Sequence, residues 1–398
     1  MKFDTQTDLQ AEIGKQPDTA VLTSPPPAGT EPAKASVPDR HSRNYGIELL
    51  RILAMFFIVL LHVIGQGGVA GAAAAGSAQY RAAWILLAFA YPAVNCYALI
   101  SGFVGCRSRF KPARTVSLWL SVVSINIFLW LVFRIFRPEI AAQFPLSACF
   151  LPLLKNQYWY FTAYFALSFL TPALNAAACH LPKKQFAFML GALFVLFSLF
   201  PTAAQADLFY THAGYSLLWL AVLYLAGAFM RLHFQPKKRR LWMAAGAVGY
   251  LVLSLALAFH KFYKEGVMAA AGIENGVYLT HYSYTSFFVI FSAVALVILF
   301  SGFNIGNRFV SALIGFFSKA TFGVYILHTN ALIWSFVLLG RFAPFAALSA
   351  PLTALCSLGA AAVIFLVCTC IEKLRALLFR LLHIDALLAK IPWHVFTD

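Results

Sequence analysis

Hydrophobic and polar positions segregate along this chain into long blocks. From residue 45 onward, apolar runs near twenty residues long are parted by short polar breaks. A helix rises 1.5 Å per residue, so about 20 apolar residues cross the ~30 Å hydrocarbon core of a bilayer. Ten segments meet that requirement, at about 45–67, 82–104, 116–136, 157–178, 185–203, 213–231, 240–260, 284–303, 318–340 and 347–371. The fifth is the weakest, being short and ending at Phe200-Pro201. The pattern predicts an all-α polytopic membrane protein with about ten transmembrane helices. No internal repeat relates the segments.

The ends differ from the middle. Residues 1–43 are polar, rich in Pro, Thr, Ala and charge, with Ser24-Pro25-Pro26-Pro27 at the centre. They have no helical or strand period and read as a disordered tail. The tail is too long and polar for a signal-peptide n-region, and the run after it too long for an h-region, so that run is an uncleaved first span. The domain 44–371 follows, then a segment 372–398. In that last segment Leu374, Leu377, Leu378, Leu381, Leu382 and Leu388 fall within an arc of about 140°, outside which lie Lys373, Arg375, Arg380 and Lys390. Asp385 intrudes on the stripe, and Leu387 and Ile391 stray from it. An amphipathic helix on the inner membrane surface and a plain extension of the last span both fit this pattern.

Composition excludes a water-soluble globule. The chain is 61% hydrophobic and 11% charged, with a mean hydropathy of +0.77, against about 45–50% and 25% in soluble domains. Six of its 14 acidic residues precede residue 44. The net charge of +16 does not point to nucleic acid, because the basic residues sit in short clusters between apolar runs rather than in one patch. Placing the N-terminus in the cytoplasm puts 22 Lys and Arg inside and 7 outside, with Arg51 within a span. That bias predicts both termini cytoplasmic. The seven cysteines have no metal or CxxC spacing and read as small buried hydrophobes, with no metal site expected.

Ionisable residues inside a span are costly and are functional candidates by default. The first span holds Glu48, Arg51 and His62. At 100° per residue, Arg51 to His62 is only ~20° past three full turns and ~16 Å along the axis, and Glu48 lies one turn before Arg51. One face thus carries an acid and a base near its start and an imidazole deep in the membrane, with Gly65, Gly67 and Gly68 loosening its end. The plainer reading is a headgroup-level ion pair and a histidine bonded to a neighbouring helix; the shared face favours function.

The run Asn44-Tyr45-Gly46-Ile47-Glu48-Leu49-Leu50-Arg51-Ile52-Leu53-Ala54, with ten residues between Arg51 and His62, resembles the first helix of the acyltransferase 3 family. Ala98-Leu99-Ile100-Ser101-Gly102-Phe103 resembles the end of its second span, Tyr158-Trp159-Tyr160-Phe161 through Leu170-Thr171-Pro172 its aromatic fourth span, and Gly323-Val324-Tyr325-Ile326-Leu327-His328 its late YxxH helix. The four segments occur in the family's order and span most of residues 44–371. The extra periplasmic domain of some members is missing.

The resemblance implies an integral-membrane O-acyltransferase of the cell membrane, with about ten spans, moving an acetyl group from acetyl-CoA to a hydroxyl of a cell-surface or lipid-linked glycan. Membrane lipids, acetyl-CoA as co-substrate and the sugar acceptor are the implied partners, with no permanently bound cofactor. Arg51 and His62 match the Arg and His on which the family's chemistry depends. Acyl transfer to an alcohol needs a base for the hydroxyl proton, and neutral imidazole suits that task near pH 7. His62 would serve as that base, or would attack the thioester and carry the acetyl group briefly. Arg51 would hold a donor phosphate or carbonyl, or orient His62, while Glu48 pairs with Arg51 and fixes its rotamer.

Arg107, Arg109, Lys111 and Arg114 follow the second span on the cytoplasmic side and are candidates for the phosphates of coenzyme A, Arg being suited to bidentate phosphate binding. An ordinary positive-inside cluster is the alternative. Lys237-Lys238-Arg239-Arg240 reads as topogenic or lipid-facing. Tyr158, Trp159 and Tyr160 would stack on a sugar ring or form an interface belt. Ser101, Tyr325 and His328 complete the substrate-binding set, although interhelical hydrogen bonding is the ordinary role of Asn95 and Ser101, and a core pair that of His328 and Asn330. The rival function is a multi-pass transporter or exporter of a small anion or glycan intermediate, in which the intramembrane Arg and His form a path or proton relay; the missing repeat argues against it. A third is a membrane-anchoring module for a partner enzyme, indifferent to acetyl-CoA.

The charge count yields a topology test. Single cysteines at Lys238 and Glu274 are expected to differ towards an impermeant thiol reagent on intact cells, with Glu274 labelled and Lys238 protected. The reverse pattern contradicts the orientation.

Overall fold

A computed structural model describes residues 43–204, 206–272 and 282–391. The tail up to residue 42, Glu274 and residues 392–398 lie outside the described residues. Every regular element among the described residues is a helix. Helix α1 (Tyr45–Ile64) starts where the Asn44 side chain accepts the Ile47 N–H at 3.1 Å, satisfying one orphan donor of the first turn. Helix α2 (Ala78–Ala90) is capped likewise by Ser77 and runs across Tyr91-Pro92 into α3 (Ala93–Gly105). Pro92 has no N–H, so the ladder breaks there. Helix α4 (Pro112–Phe136) has proline in its first turn, where no N–H is needed. There follow α5 (Trp159–His180), α6 (Lys183–Phe194, prolonged by a π-helical turn to Ala204), α7 (Leu217–His233), α8 (Arg239–Ala270), α9 (Phe287–Ser301), α10 (Arg308–Ser318), α11 (Thr321–Thr329) and α12 (Ala350–Leu381).

Each of the ten predicted segments overlaps a helix. Among the described residues, eight runs are long and apolar enough to cross a membrane. Helices α7 and α9 are apolar but only 17 and 15 residues long, or ~25 and ~22 Å. Two details depart from the sequence expectation, and at the C-terminal end the structure shows the last span extended, one of the two patterns expected there. The ninth span does not cover 318–340; its apolar run is Arg308–Thr329. Asn330 ends that run because its side chain accepts the Leu332 N–H at 3.0 Å and starts a new turn, so Asn330 is not mid-helix. Helix α8 continues to Ala270, well past the expected boundary at 260. It does so because buried Lys261 is satisfied by Glu265 one turn on, by the Tyr80 hydroxyl at 3.1 Å and by the Trp84 ring 3.7 Å away. Finally, residues 372–381 continue α12, and a turn at His383 precedes the short helix Ile384–Ala389.

The helices form an inner group and an outer group. The apolar windows of α1, α2–α3 and α10–α11 are 61%, 67% and 50% buried, against 17–28% for the other long runs, which marks those three as the core. Helix α1 packs on α2, α3, α9, α10, α11 and α12. Outer helices turn side chains such as Phe128, Phe188, Val248, Phe259, Leu355 and Val363 outward. That apolar belt suits lipid and would not suit water.

The tightest crossing fixes α3 against α7. A Cβ on Gly102 would lie 1.8 Å from the Tyr224 carbonyl oxygen, and one on Gly227 would lie 1.9 Å from that of Leu99. Small residues let helix backbones approach closely within a membrane. Gly102→Leu is therefore expected to destabilise the fold by about 3 kcal/mol or more, beyond ordinary overpacking. Nothing lies within 4 Å of a Cβ at Gly71, so Gly71→Leu is the control. Thermal melts in detergent check this; equal melting temperatures would refute the crossing.

Candidate active site

Helices α1 and α11 end side by side and bring two histidines together. The Nδ1 of His62 lies 2.9 Å from the Nε2 of His328, although the residues are 266 apart in sequence. The Nδ1 of His328 lies 2.6 Å from the Val324 carbonyl oxygen. A carbonyl only accepts, so Nδ1 of His328 carries its proton. In the neutral ring Nε2 is then a bare lone pair, and Nδ1–H of His62 donates to it. The remaining nitrogen of His62, Nε2, keeps a free lone pair. The chain Val324 O, His328, His62 thus fixes one tautomer and presents one basic atom. His328 is wholly buried. The Trp334 ring meets the His62 ring edge-on, with centroids 5.1 Å apart.

His62 faces a small cavity of about 70 Å³, walled by Tyr97, Trp159, Tyr160, Tyr284 and Tyr325 and floored by apolar residues of α1. Trp159 stacks on Tyr284 at 5.9 Å and 22°, and both pack against Tyr215. A second cavity, about 340 Å³, lies at the other end of α1. Arg51, Arg109, Lys111 and Arg114 line it together with Ser101 and Tyr164. Arg51 is held by its Nη1, 3.1 and 2.9 Å from the two oxygens of buried Glu48. That contact uses one nitrogen, leaving Nε and Nη2 for other acceptors.

The two cavities are neighbours. On α3, Tyr97 borders the small cavity and Ser101, one turn on, borders the basic one; Ser101 Oγ donates to the Tyr97 carbonyl at 2.8 Å. On α5, Tyr160 borders the small cavity and stacks at 6.1 Å and 12° on Tyr164, which borders the basic one. The Tyr97 hydroxyl donates to the Arg51 carbonyl at 2.8 Å. A tyrosine partition one helical turn thick therefore separates a cationic chamber from the histidine chamber.

The predicted site residues divide accordingly. His62, Trp159, Tyr160 and Tyr325 meet at the small cavity, with His328 behind His62; Arg51, Ser101, Arg109, Lys111 and Arg114 meet at the basic one, with Glu48 holding Arg51. Two residues are not brought in. Arg107 is exposed and does not line the basic cavity. Tyr158 points into a separate polar knot, donating to Asn126 Oδ1 at 2.6 Å and accepting from Asn330 Nδ2 at 2.9 Å. It fastens the start of α5 to α4 and to the break after α11. Asn95 is fully buried and joins helices, donating to the Tyr284 carbonyl at 2.7 Å and accepting from Trp219 at 3.3 Å. Tyr97, Tyr284 and Trp334 were not anticipated. The one-turn spacing from Ser101 was a usable signal for Tyr97; none marked the other two. No three His, Cys, Asp or Glu cluster as a metal site would require among the described residues.

A family model described as an acyltransferase domain, acyltransferase 3, matches residues 44–371, most of the chain. No curated protein and no solved structure matches the chain.

The tautomer is directly measurable. With ¹⁵N-labelled histidine, His62 is expected to show a protonated Nδ1 and an unprotonated Nε2, and His328→Ala is expected to remove that fixed assignment. A proton on Nε2 of His62 in the unmutated protein would contradict the relay.

Proposed function

This chain belongs to the acyltransferase 3 family and is a membrane acyltransferase; from that premise we propose that it is an O-acetyltransferase of the cell membrane, taking acetyl groups from cytoplasmic acetyl-CoA to a hydroxyl of a cell-surface or lipid-linked glycan. The observation that carries this reading is the pairing of a cationic cavity with a histidine cavity across one layer of tyrosines. Coenzyme A is a polyanion at one end and a thiol at the other. Its phosphates fit the Arg51, Arg109, Lys111 and Arg114 chamber, where guanidinium groups bind phosphate in bidentate fashion. The ~16 Å between Arg51 and His62 along α1 is within reach of its extended pantetheine arm. The Lys and Arg bias supports a cytoplasmic position for that chamber.

The small cavity supports a short acyl group. The cavity is lined by aromatic and apolar residues beside His62, a setting that suits a short apolar acyl group. The acceptor approaches from the opposite side, where exposed Tyr215, packed beside Trp159 and Tyr284, offers a ring to a sugar. Its hydroxyl gives its proton to Nε2 of His62 as the oxygen attacks the thioester carbon; His62 then returns the proton to the departing thiolate. Attack by Nε2 itself, with a transient acetyl-imidazole, uses the same lone pair. In either route His328 holds Nδ1 of His62 in its donating form.

Transfer of radiolabelled acetyl from acetyl-CoA to a glycan fraction, in vesicles of purified protein, tests the reading. His62→Ala and His62→Gln are expected to lower transfer by roughly 10²–10⁴-fold, and His328→Ala by less. Arg109→Ala is expected to raise KM for acetyl-CoA, and exposed Arg107→Ala to leave it nearly unchanged. Near-normal transfer by both His62 variants would remove His62 from the chemistry. An unmutated protein that transfers nothing yet moves a solute across the vesicle wall would replace the enzyme with a transporter.

A further inference from the structure

Most buried tyrosine hydroxyls in this protein have a partner. Tyr97 donates to the Arg51 carbonyl, Tyr158 to Asn126, Tyr224 to Asn175, Tyr250 to the Phe89 carbonyl and Tyr282 to the Trp84 carbonyl. The Tyr160 hydroxyl is buried and has no hydrogen-bond partner among the described residues. Of the buried side-chain polar atoms so orphaned, it alone belongs to a residue lining the His62 cavity. A buried hydroxyl left unpaired inside a protein is costly and calls for an explanation. Here the ring cannot turn easily to find a partner. It is stacked on Tyr164 and met edge-on by Tyr97, Trp159 and Tyr325.

We propose that the Tyr160 hydroxyl is the hydrogen-bond donor to the thioester carbonyl of the acyl donor and stabilises the oxyanion formed during transfer. The proposal rests on the donor path described above. Tyr160 lies where that path leaves the basic chamber and enters the histidine chamber, so a thioester within reach of His62 occupies a cavity that the Tyr160 side chain lines. A carbonyl oxygen only accepts, and the phenol has an O–H to give. As the acceptor oxygen bonds to the carbonyl carbon, its proton passes to Nε2 of His62 and the carbonyl π electrons move onto oxygen. That oxygen, now negative, accepts from Tyr160. The carbonyl then re-forms, the C–S bond breaks, and the thiolate takes the proton from His62, leaving an ester and free thiol. A donor fixed before the reaction needs no reorganisation as charge develops, and the packed tyrosine layer supplies that fixity. The sequence left Tyr160 between an interface belt and stacking on a sugar ring; the orphan hydroxyl assigns it an atom-level task on the donor instead.

Because the hydroxyl has no hydrogen-bond partner among the described residues, its removal separates catalysis from folding. Purified Tyr160→Phe and Tyr158→Phe are compared for melting temperature, single-turnover acetyl transfer, and affinity for acetyl-CoA against S-ethyl-CoA, a thioether without the carbonyl. Tyr160→Phe is expected to melt no lower than the unmutated protein, to transfer about 10²–10³-fold more slowly, and to lose the preference for acetyl-CoA over S-ethyl-CoA. Tyr158→Phe, which breaks a bonded network, is expected to melt lower and to keep that preference. A Tyr160→Phe protein with undiminished transfer and preference overturns the proposal and leaves the acetyltransferase reading standing. A Tyr160-dependent preference in a protein that transfers nothing keeps the carbonyl contact and overturns the acetyltransferase reading. No preference and no transfer in the unmutated protein overturns both.

Discussion

The hydrogen bond from His62 to His328 is the constraint on which the site depends. An imidazole in the hydrocarbon region has no water to satisfy it, so each nitrogen needs a partner or a purpose. The Val324 carbonyl accepts the hydrogen bond of His328 Nδ1–H, and His328 Nε2 accepts that of His62 Nδ1–H, leaving a single lone pair on Nε2 of His62. For this to hold, α11 must end beside α1, and Asn330 must break the helix two residues after His328. The knot of Asn126, Tyr158 and Asn330 secures that break to α4 and α5. It is a structural brace for the histidine pair rather than part of the chamber.

The same helix organises the other end. Helix α1 lies at the centre of the bundle and carries charge only in its first turns. Glu48 neutralises and steers Arg51, so a cation persists at the edge of the membrane domain without being left unpaired. Between Arg51 and His62 the helix is apolar. The geometry separates a cationic cavity from a histidine cavity, and tyrosines of α3 and α5 stand between them. A soluble enzyme could admit water to both places. On the proposed reading, a tyrosine layer surrounded by lipid would keep water from an activated thioester and so protect it from hydrolysis.

Local features were legible in the sequence, and long-range ones were not. The Glu48–Arg51 pair follows from i,i+3 spacing, and the common face of Arg51 and His62 from helical phase. The apolar blocks overlapped every long helical run among the described residues, although the ninth was placed about ten residues too late. The partner of His62 was out of reach, because nothing local ties it to a residue 266 positions away. The break at Asn330 was missed because Leu, Ile and Trp continue on both sides of it, and hydropathy does not register a side chain capping the next turn. Helix α8 was cut short for the opposite reason: Lys261 and Glu265 read as loop residues, although as a pair one turn apart they are buried together. Among the basic residues after α3, spacing could not separate Arg107 from Arg109, of which only the latter lines the basic cavity. Nor could it separate Tyr158, locked in a structural network, from Tyr160 two residues later.

The central claim is that one donor spans both chambers, with its phosphates at Arg51 and its acyl end at His62. A cryo-EM structure of the protein with a non-transferable thioether analogue of acetyl-CoA tests it most directly. The account predicts density for the phosphates against Arg51, Arg109 and Arg114, a pantetheine arm passing Tyr97 and Tyr160, and the acyl end facing Nε2 of His62. Phosphates seated instead on the Lys237-Lys238-Arg239-Arg240 cluster, with the tyrosine passage closed and empty, would contradict it.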